Sequence, residues 1–366
     1  MAEDTFPILG WDHLEFYVGN AKQASFFYSQ IFGMDLVAYA GLETGVRDHT
    51  SYVLQTGNIR FVLSTALSAD HPISAFVLKH GDGVKDIALT VPNVDNAYAE
   101  AMSKGATSVL PPTVYEDQFG KVKRASIALY GDVIHSFIER QDYAGTFLPG
   151  YGKPPAVSWP KPKASGLLGI DHVVANVELG KMNEWVGFYE KVLGFSQIIH
   201  FTDEAISTEY SALMSKVMEG GQGRVKFPIN EPAAGKKKSQ IDEYLDFNGG
   251  PGVQHIALIT DDIIATVSHL KSLGVDFIPS ISSYYDDLQE RVGKIEEDTE
   301  KLKQLGVLVD RDDEGYLLQI FTKNMEDRPT LFFEVIQRKG ARGFGEGNFK
   351  ALFEAIEREQ ALRGNL

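Results

Sequence analysis

The sequence predicts an α+β chain of four β-α-β-β-β modules, two to each of two domains, with one more helix at the C-terminal end. Three observations carry that expectation. Strand-like and helix-like periodicities follow one another in the same order four times. The opening residues Gly10-Trp11-Asp12-His13-Leu14-Glu15 return about 160 residues later as Gly169-Ile170-Asp171-His172-Val173-Val174. Between the two copies stand Pro149, Pro154, Pro155, Pro160 and Pro162, the composition of a semi-rigid linker. The expected divisions are 1–150 for the N-terminal domain, 151–167 for the linker, 168–342 for the C-terminal domain and 343–366 for a C-terminal helix.

In the first module, residues 8–18 alternate roughly as a strand does. Asn20 opens a helix over 21–31, where Ala24, Phe27, Tyr28 and Ile31 fall at helical spacing, and Gly33 ends it. A strand over 34–40 follows, then strands over 50–55 and 58–65 joined at Thr56-Gly57. The second module has a strand over 84–91, a helix over 94–105 and strands over 108–109, 123–129 and 134–138. Beyond the linker, Phe188-Tyr189 and Leu193-Gly194-Phe195 echo Phe27-Tyr28 and Phe32-Gly33-Met34. Val253-Gln254-His255-Ile256-Ala257-Leu258 echoes Val84-Lys85-Asp86-Ile87-Ala88-Leu89, after the breaker Gly250-Pro251-Gly252. Residues 284–304 carry mixed charges at helical spacing and read as a helical insertion with a solvated face. Lys236-Lys237-Lys238 reads as a solvated loop. In the tail, Asn348 is the expected N-cap of a helix reaching about Arg363, with Phe349, Leu352, Phe353 and Ile356 on one stripe. The glycines before it suit a lid hinge.

Composition removes several function classes. The chain has no cysteine, so disulfides, thiolate metal sites and a Cys nucleophile are excluded, and any metal must sit on His, Asp or Glu. A formal charge of −15 argues against nucleic acid or an anionic membrane as partner. No apolar run approaches the ~20 residues of a membrane span. Met1-Ala2-Glu3-Asp4 lacks the basic and apolar regions of a signal peptide, so a cytoplasmic protein is expected.

Three polar residues interrupt apolar strands of the C-terminal half: His172, His255 and Glu334. A lone buried carboxylate costs several kcal/mol unless it is paired or bound to metal. Two His and one carboxylate are also the ligand set that leaves three positions open on a non-haem Fe(II). From the residues alone, a metal site and a set of hydrogen-bonded core residues both remain open.

The chain closely resembles the 4-hydroxyphenylpyruvate dioxygenases of the vicinal oxygen chelate superfamily. The likeness runs over essentially the whole length. It is carried by Trp11-Asp12-His13, Gly41-Leu42-Glu43-Thr44-Gly45, Asp171-His172, Pro228-Ile229-Asn230-Glu231-Pro232, the run from Gly249 to Leu258, Leu318-Gln319-Ile320-Phe321-Thr322-Lys323, the run from Pro329 to Glu334, and Gly343-Phe344-Gly345-Glu346-Gly347-Asn348-Phe349. The resemblance implies two vicinal-oxygen-chelate domains, each an open barrel of mixed strands. It implies one Fe(II) per chain on His172, His255 and Glu334. The implied reaction takes 4-hydroxyphenylpyruvate and O2 to homogentisate and CO2, by oxidative decarboxylation, ring hydroxylation and side-chain migration, in tyrosine catabolism. The substrate's 2-oxo acid would chelate the iron. A homo-oligomer, dimer or tetramer, is implied as well.

The resemblance also assigns Ser215, Asn230, Gln240, Gln254 and Gln319 to a polar network near the substrate. Pro228, Phe321, Phe332, Asn348 and Phe349 line or close the pocket. Strand alternation puts Gln319 with Phe321, Pro228 with Asn230, and Glu334 with Phe332 and Ile336. Gln254 adjoins His255, so a flat strand would turn it away. Without the resemblance each of these reads as a hydrogen-bonded amide or a core aromatic. His13, Asp86 and Glu139 are read as the echo of the triad in the N-terminal half. With Asp in place of one His, that half is expected to be a degenerate scaffold without metal. The competing readings are 4-hydroxymandelate synthase, where positions matching Pro228, Asn230 and Phe321 carry other residues, a non-catalytic ligand-sequestering protein, and an extradiol-type catechol dioxygenase.

Overall fold

The computed structural model describes residues 6–202, 212–233, 235–280 and 282–365, so the acidic start Met1-Ala2-Glu3-Asp4 lies outside the described residues. The N-terminal half holds strands β1 (Gly10–Tyr17), β2 (Asp35–Ala40), β3 (His49–Thr56), β4 (Ile59–Ala66), β5 (Gly83–Thr90), β6 (Ser108–Asp117), β7 (Gly120–Ala128) and β8 (Ile134–Glu139). Its helices are α1 (Ala21–Phe32), α2 (Pro72–His80) and α3 (Val94–Ser103). The C-terminal half holds β9 (Leu167–Asn176), β10 (Ser196–Phe201), β11 (Ala212–Gly220), β12 (Val225–Ala233), β13 (Gly252–Thr260), β14 (Leu308–Arg311), β15 (Tyr316–Phe321) and β16 (Phe332–Lys339). With them go α4 (Met182–Leu193), α5 (Gln240–Asn248), α6 (Ile263–Ser272), α7 (Leu288–Val292), α8 (Thr299–Leu305) and α9 (Glu346–Leu362).

Both halves build the same eight-stranded sheet, in the orders β2-β3-β4-β1-β5-β8-β7-β6 and β10-β11-β12-β9-β13-β16-β15-β14. Within each module the first strand pairs parallel to the last, β1 with β4 and β5 with β8. The two modules of a half join through their first strands, which run antiparallel, β1 with β5 and β9 with β13. One cavity in the C-terminal half is walled by side chains of β9, β11, β12, β13, β15 and β16, so that sheet curls into an open barrel. The four expected modules and the α+β class are therefore the observed architecture.

Local chemistry explains the ends of the elements. Asn20 accepts the N–H of Gln23 at the start of α1, and Gly33 closes it with φ of 66°. Gly194 closes α4 with the same φ of 66°, as the repeat required.

Four features depart from expectation. Helix α2 was not foreseen, because its cap is a histidine: His71 Nδ1 accepts from Ile73 N–H, with Pro72 in the first turn. Strand β6 continues through Pro111 and Pro112, where the sequence suggested it would stop. It is the last strand of its sheet, and an edge strand tolerates missing N–H donors. The insertion over 284–304 is not one helix but α7 and α8, separated at Gly293, whose φ of 66° and ψ of −151° no helix accommodates. Helix α9 starts at Glu346, capped by Gly345 rather than by Asn348. The Asp310 carboxylate of β14 accepts the N–H groups of Gly347 at 2.8 Å and Asn348 at 3.4 Å, which frees the Asn348 side chain.

The two halves share one core. Phe333, beside Glu334 in sequence, packs its ring against Phe32 at 4.8 Å, Tyr28 at 5.8 Å and Phe61 at 6.0 Å from the N-terminal half. His135 of β8 reaches across to the Tyr189 hydroxyl of α4 at 2.9 Å. The N-terminal half thereby fixes the position of β16, which carries Glu334. No helix among the described residues is long and apolar enough to cross a membrane.

Candidate metal centre

His172, His255 and Glu334 come from β9, β13 and β16, three adjacent strands of the curled sheet. Ala257 stands in register with His172 on one side and Glu334 on the other. Paired residues share a face, so Ala257, His172, Glu334 and (two residues back) His255 all face the barrel interior. The small Ala257 side chain leaves room between the ligands. His172 Nε2 lies 3.1 Å from Glu334 Oε2, and His255 Nε2 lies 3.4 Å from the same oxygen. All three residues are buried.

The other edge of each ring is already engaged. His172 Nδ1 donates to Asp171 Oδ2 at 2.7 Å, and His255 Nδ1 donates to Gln254 Oε1 at 2.9 Å. Both partners precede their histidine, an impossible arrangement on a regular strand. The β9–β13 register slips at each place: Asp171 is an extra residue on β9 and Gln254 an extra residue on β13. These two β-bulges turn each acceptor back onto its own imidazole. With Nδ1 protonated, each Nε2 presents a lone pair.

Three acceptors thus converge on one point, which only a proton or a cation can satisfy. Two imidazole nitrogens and one carboxylate oxygen suit a borderline transition metal. Burial alone would raise the Glu334 carboxyl, but the two facing imidazoles bring it down to about 2. Burial lowers His172, yet the Glu334 and Asp171 carboxylates outweigh it and raise the ring above its ordinary value. His255 is lowered by burial, which its contact with Glu334 does not offset. Burial would also raise Asp171, but Arg338 and His172 hold it far below the usual carboxylate range.

A cavity of about 20 Å³ adjoins the triad. Ser215, Pro228, Gln319, Phe321 and Phe349 line it. Gln319 Nε2 donates to Glu334 Oε1 at 2.9 Å, so one carboxylate oxygen is tied back and the other faces the histidines. Asn348 stands behind Gln319, donating to its Oε1 at 2.8 Å and accepting from the Tyr284 hydroxyl at 2.5 Å. Gln240, Gln254 and Phe332 line a neighbouring cavity of about 200 Å³ instead. Phe332 is the partition: its ring stacks on His255 at 4.7 Å. Asn230 lines neither cavity; it pairs opposite Ser215 and donates to Asn176 Oδ1 at 3.3 Å.

Several residues of the site were not foreseen. Val174, Val217, Phe201 and Phe344 also wall the chamber, and Asp171 and Arg338 back it. Asp-His had recurred in the two halves, which was the available signal for Asp171.

The N-terminal echo needs correcting. Ala88 pairs with Ser136 as Ala257 pairs with Glu334, so Ser136, not Glu139, holds the Glu334 position. Glu139 lies three residues on, where it accepts Val94 N–H at 2.8 Å and caps α3. Gln337 does the same for α6 through Ile263 N–H at 2.8 Å. A second His-rich cluster, Asp48, His49 and His71, lies nearer the surface. There His71 Nδ1 is occupied as the cap of α2, so its neutral ring carries the proton on the nitrogen that faces Asp48.

Residues 10–122 and 169–320 match the model of the Glyoxalase/Bleomycin resistance protein/Dioxygenase superfamily. A 4-hydroxyphenylpyruvate dioxygenase of Yarrowia lipolytica is 48% identical over 98% of this chain and 93% of its own length. That of Dictyostelium discoideum is 48% identical over 98% of this chain and 100% of its own. A mutant 4-hydroxymandelate synthase from Streptomyces coelicolor superposes with a TM-score of 0.86 at 34% identity, covering 97% of this chain and 99% of that one. By this likeness over nearly its full length, the chain belongs to the 4-hydroxyphenylpyruvate dioxygenase family, within the glyoxalase and dioxygenase superfamily.

Proposed function

We propose that the chain is an Fe(II)-dependent dioxygenase converting 4-hydroxyphenylpyruvate and O2 to homogentisate and CO2. The observation that carries this reading is the convergence of His172, His255 and Glu334 on one point at the wall of an aromatic-lined chamber. Iron held there supplies O2 activation and a Lewis acid for the substrate's 2-oxo acid.

The chain's own residues do the rest. Asp171 and Gln254 keep Nε2 of each histidine free of a proton. Gln319 holds one oxygen of Glu334, so the other, facing the two histidines, is the one that would help to hold the iron. Phe321, Phe344 and Phe349 flank the chamber and exclude water from the reacting ring. Ser215, Gln240 and Gln254 supply the polar groups for the substrate's phenol and carboxylate in this proposal, with Asn230 behind Ser215 as its strand partner. Phe332 must then yield, since Gln240 and Gln254 lie beyond it. A space of about 20 Å³ holds little more than one water, so an aromatic substrate enters only as the wall opens. Phe349 and Phe344 belong to α9 and its lead-in, and that segment serves as the lid in this proposal. Homo-oligomeric assembly and a cytoplasmic location belong to the same proposal, supported by the family resemblance and by a chain without cysteine.

The test is anaerobic loading with Fe(II), then addition of 4-hydroxyphenylpyruvate and air. Homogentisate with one CO2 released, and loss of both in Glu334→Ala, is the expected result. 4-Hydroxymandelate as product would move the chain to the synthase branch. Substrate binding by iron-loaded protein without O2 uptake would leave a sequestering protein.

A further inference from the structure

Behind His172 stands an ion pair that the metal set does not include. Arg338, near the end of β16, donates from Nε to Asp171 Oδ1 at 2.7 Å and from Nη2 to Asp171 Oδ2 at 2.8 Å. Asp171 Oδ2 is the same oxygen that accepts from His172 Nδ1. The remaining arm of the guanidinium, Nη1, donates to Gly343 O at 2.6 Å and Ala341 O at 3.3 Å. Its plane lies over the Phe344 ring at 5.3 Å, and that ring meets the His172 ring edge-on at 4.9 Å. One side chain therefore fixes both neighbours of the imidazole, the carboxylate at its edge and the phenyl on its flank. It also pins the stretch that leads into α9.

Asp171 would not stay in place without this fork. It is the bulged residue of β9, so the sheet ladder does not fix it as it fixes its neighbours. A buried carboxylate with one neutral donor is poorly satisfied; a planar guanidinium with two parallel N–H bonds both neutralises and orients it. A hydrogen-bonded carboxylate behind a ligating histidine sets the tautomer, the ring angle and the basicity of the ligand.

The geometry points to Arg338 as a positioning residue for the metal centre, acting on His172 through Asp171 and coupling that ligand to the lead-in of α9. It rests on reading His172, His255 and Glu334 as a metal centre.

The molecule contains its own control. In the N-terminal half, Arg140 forks onto Asp12 with two bonds of 2.7 Å, and Asp12 accepts from His13 Nδ1 at 2.6 Å. Arg140 also donates to Phe147 O and lies over the Phe147 ring at 5.5 Å, and that ring meets His13 at 5.1 Å. Asp12 is bulged on β1 just as Asp171 is on β9. The relay is the same apart from Arg60, which also stands 3.7 Å from Asp12 Oδ1, but Asp86 and Ser136 stand where His255 and Glu334 stand in the other half. Whatever the relay contributes to folding is common to both; whatever it contributes to the metal belongs to Arg338 alone.

The experiment compares Arg338→Gln, Arg338→Lys and Arg140→Gln in the full-length apoprotein. Each is titrated anaerobically with Co(II), followed by its visible d–d bands, and Fe(II) affinity is measured by chelator competition. Arg338→Gln is expected to weaken metal binding about 10–100-fold and to change the Co(II) spectrum. Arg338→Lys keeps the charge but not the fork and stays weakened. Arg140→Gln lowers the urea midpoint comparably while its metal Kd and spectrum stay those of the unaltered protein. Equal metal effects at the two arginines, no effect at Arg338, or full recovery by Lys would each overturn the proposal. If Arg338→Gln does not fold, Asp171→Asn against Asp12→Asn makes the same comparison. Failure of the unaltered protein to bind Co(II) or Fe(II) would instead overturn the metal-centre reading beneath it.

Discussion

Arg124 donates from Nη2 to Asp86 Oδ2 at 2.9 Å, inside the N-terminal barrel. Arg124 pairs with Ile138 across β7 and β8 as Gln319 pairs with Ile336 across β15 and β16, so the arginine occupies the Gln319 position. Asp86 likewise occupies the position of His255, since it pairs with Ile134 as His255 pairs with Phe332. Ser136 Oγ completes the set by donating to Asp86 Oδ2 at 2.6 Å. Where one half converges three ligands on a point that needs a cation, the other supplies the cation covalently.

That pair predicts an asymmetric cost. Asp86 is fully buried, and its Oδ1 has no hydrogen-bond partner. Arg124→Met would leave its charge without a counter-ion, at a cost of about 3–5 kcal/mol. Replacing both residues by apolar ones, Arg124→Met with Asp86→Leu, should recover most of that. Urea unfolding measures both. A single variant within 1 kcal/mol of the parent would contradict the argument.

How far the sequence reached can be judged on particular residues. The triad was legible because each member breaks an apolar strand and because the modules repeat. Gln254 looked misdirected, since alternation assumes a flat strand. A bulge is a relation between two strands and has no mark in either. Counting along the chain points to Glu139 as the echo of Glu334; the β5–β8 ladder selects Ser136, and Glu139 serves a helix end. Arg338 and Arg140 carried no signal, because a single arginine near a strand end has the look of a solvated charge. Asn348 was read as a cap because it heads an apolar stripe. The capping acceptor was Asp310, 38 residues away in sequence.

Asp310 therefore holds the first turn of α9. Removing it in Asp310→Ala leaves the N–H groups of Gly347 and Asn348 unpaired, which typically costs ~1 kcal/mol at a helix start. Gly345 cannot be replaced as a remedy: its φ is 68°, and a Cβ there would lie 2.9 Å from Gln319 Oε1. Because Asp310 reaches only the first turn of α9, the loss should appear locally. Amide exchange in residues 346–352 is expected to quicken several-fold while the global urea midpoint moves little. Unchanged exchange in α9 would show that Asp310 is not its anchor.

His135 makes stability depend on pH. Burial pushes its ring down to about 4 from an ordinary 6.5, despite the bond from Nδ1 to Ile87 O. Between those values the unfolded chain binds a proton that the folded chain refuses. The stabilisation is complete above pH 6.5 and is lost as pH falls through that window; below about 4 both states are protonated and the loss stops. A shift of this size corresponds to roughly 3 kcal/mol. His135→Gln should be less stable at pH 7 but should show a flatter decline between pH 6.5 and 4. Parallel slopes in urea unfolding for the two proteins would exclude His135 as the source.

Phe321 is the residue at which the two related chemistries can be told apart by experiment. It stands opposite Glu334 across β15 and β16, and its ring meets the His255 ring edge-on at 6.1 Å. It lines the chamber together with Phe344 and Phe349, so in the proposed reaction an aromatic substrate would pack among these rings. In the proposed reaction the Phe321 ring limits how the substrate ring sits beside the triad. Phe321→Leu leaves all three ligands and Gln319 in place, so metal affinity should stay within about 2-fold, as expected for a residue that neither binds nor orients the metal. The ring gains room, and geometry lost by about 1 Å is enough to redirect or slow a step by about 100-fold. The expected outcome is a lower rate of homogentisate formation with part of the flux appearing as 4-hydroxymandelate, read by mass and NMR of the products. Homogentisate at the parent rate with no second product would show that Phe321 does not decide which carbon reacts.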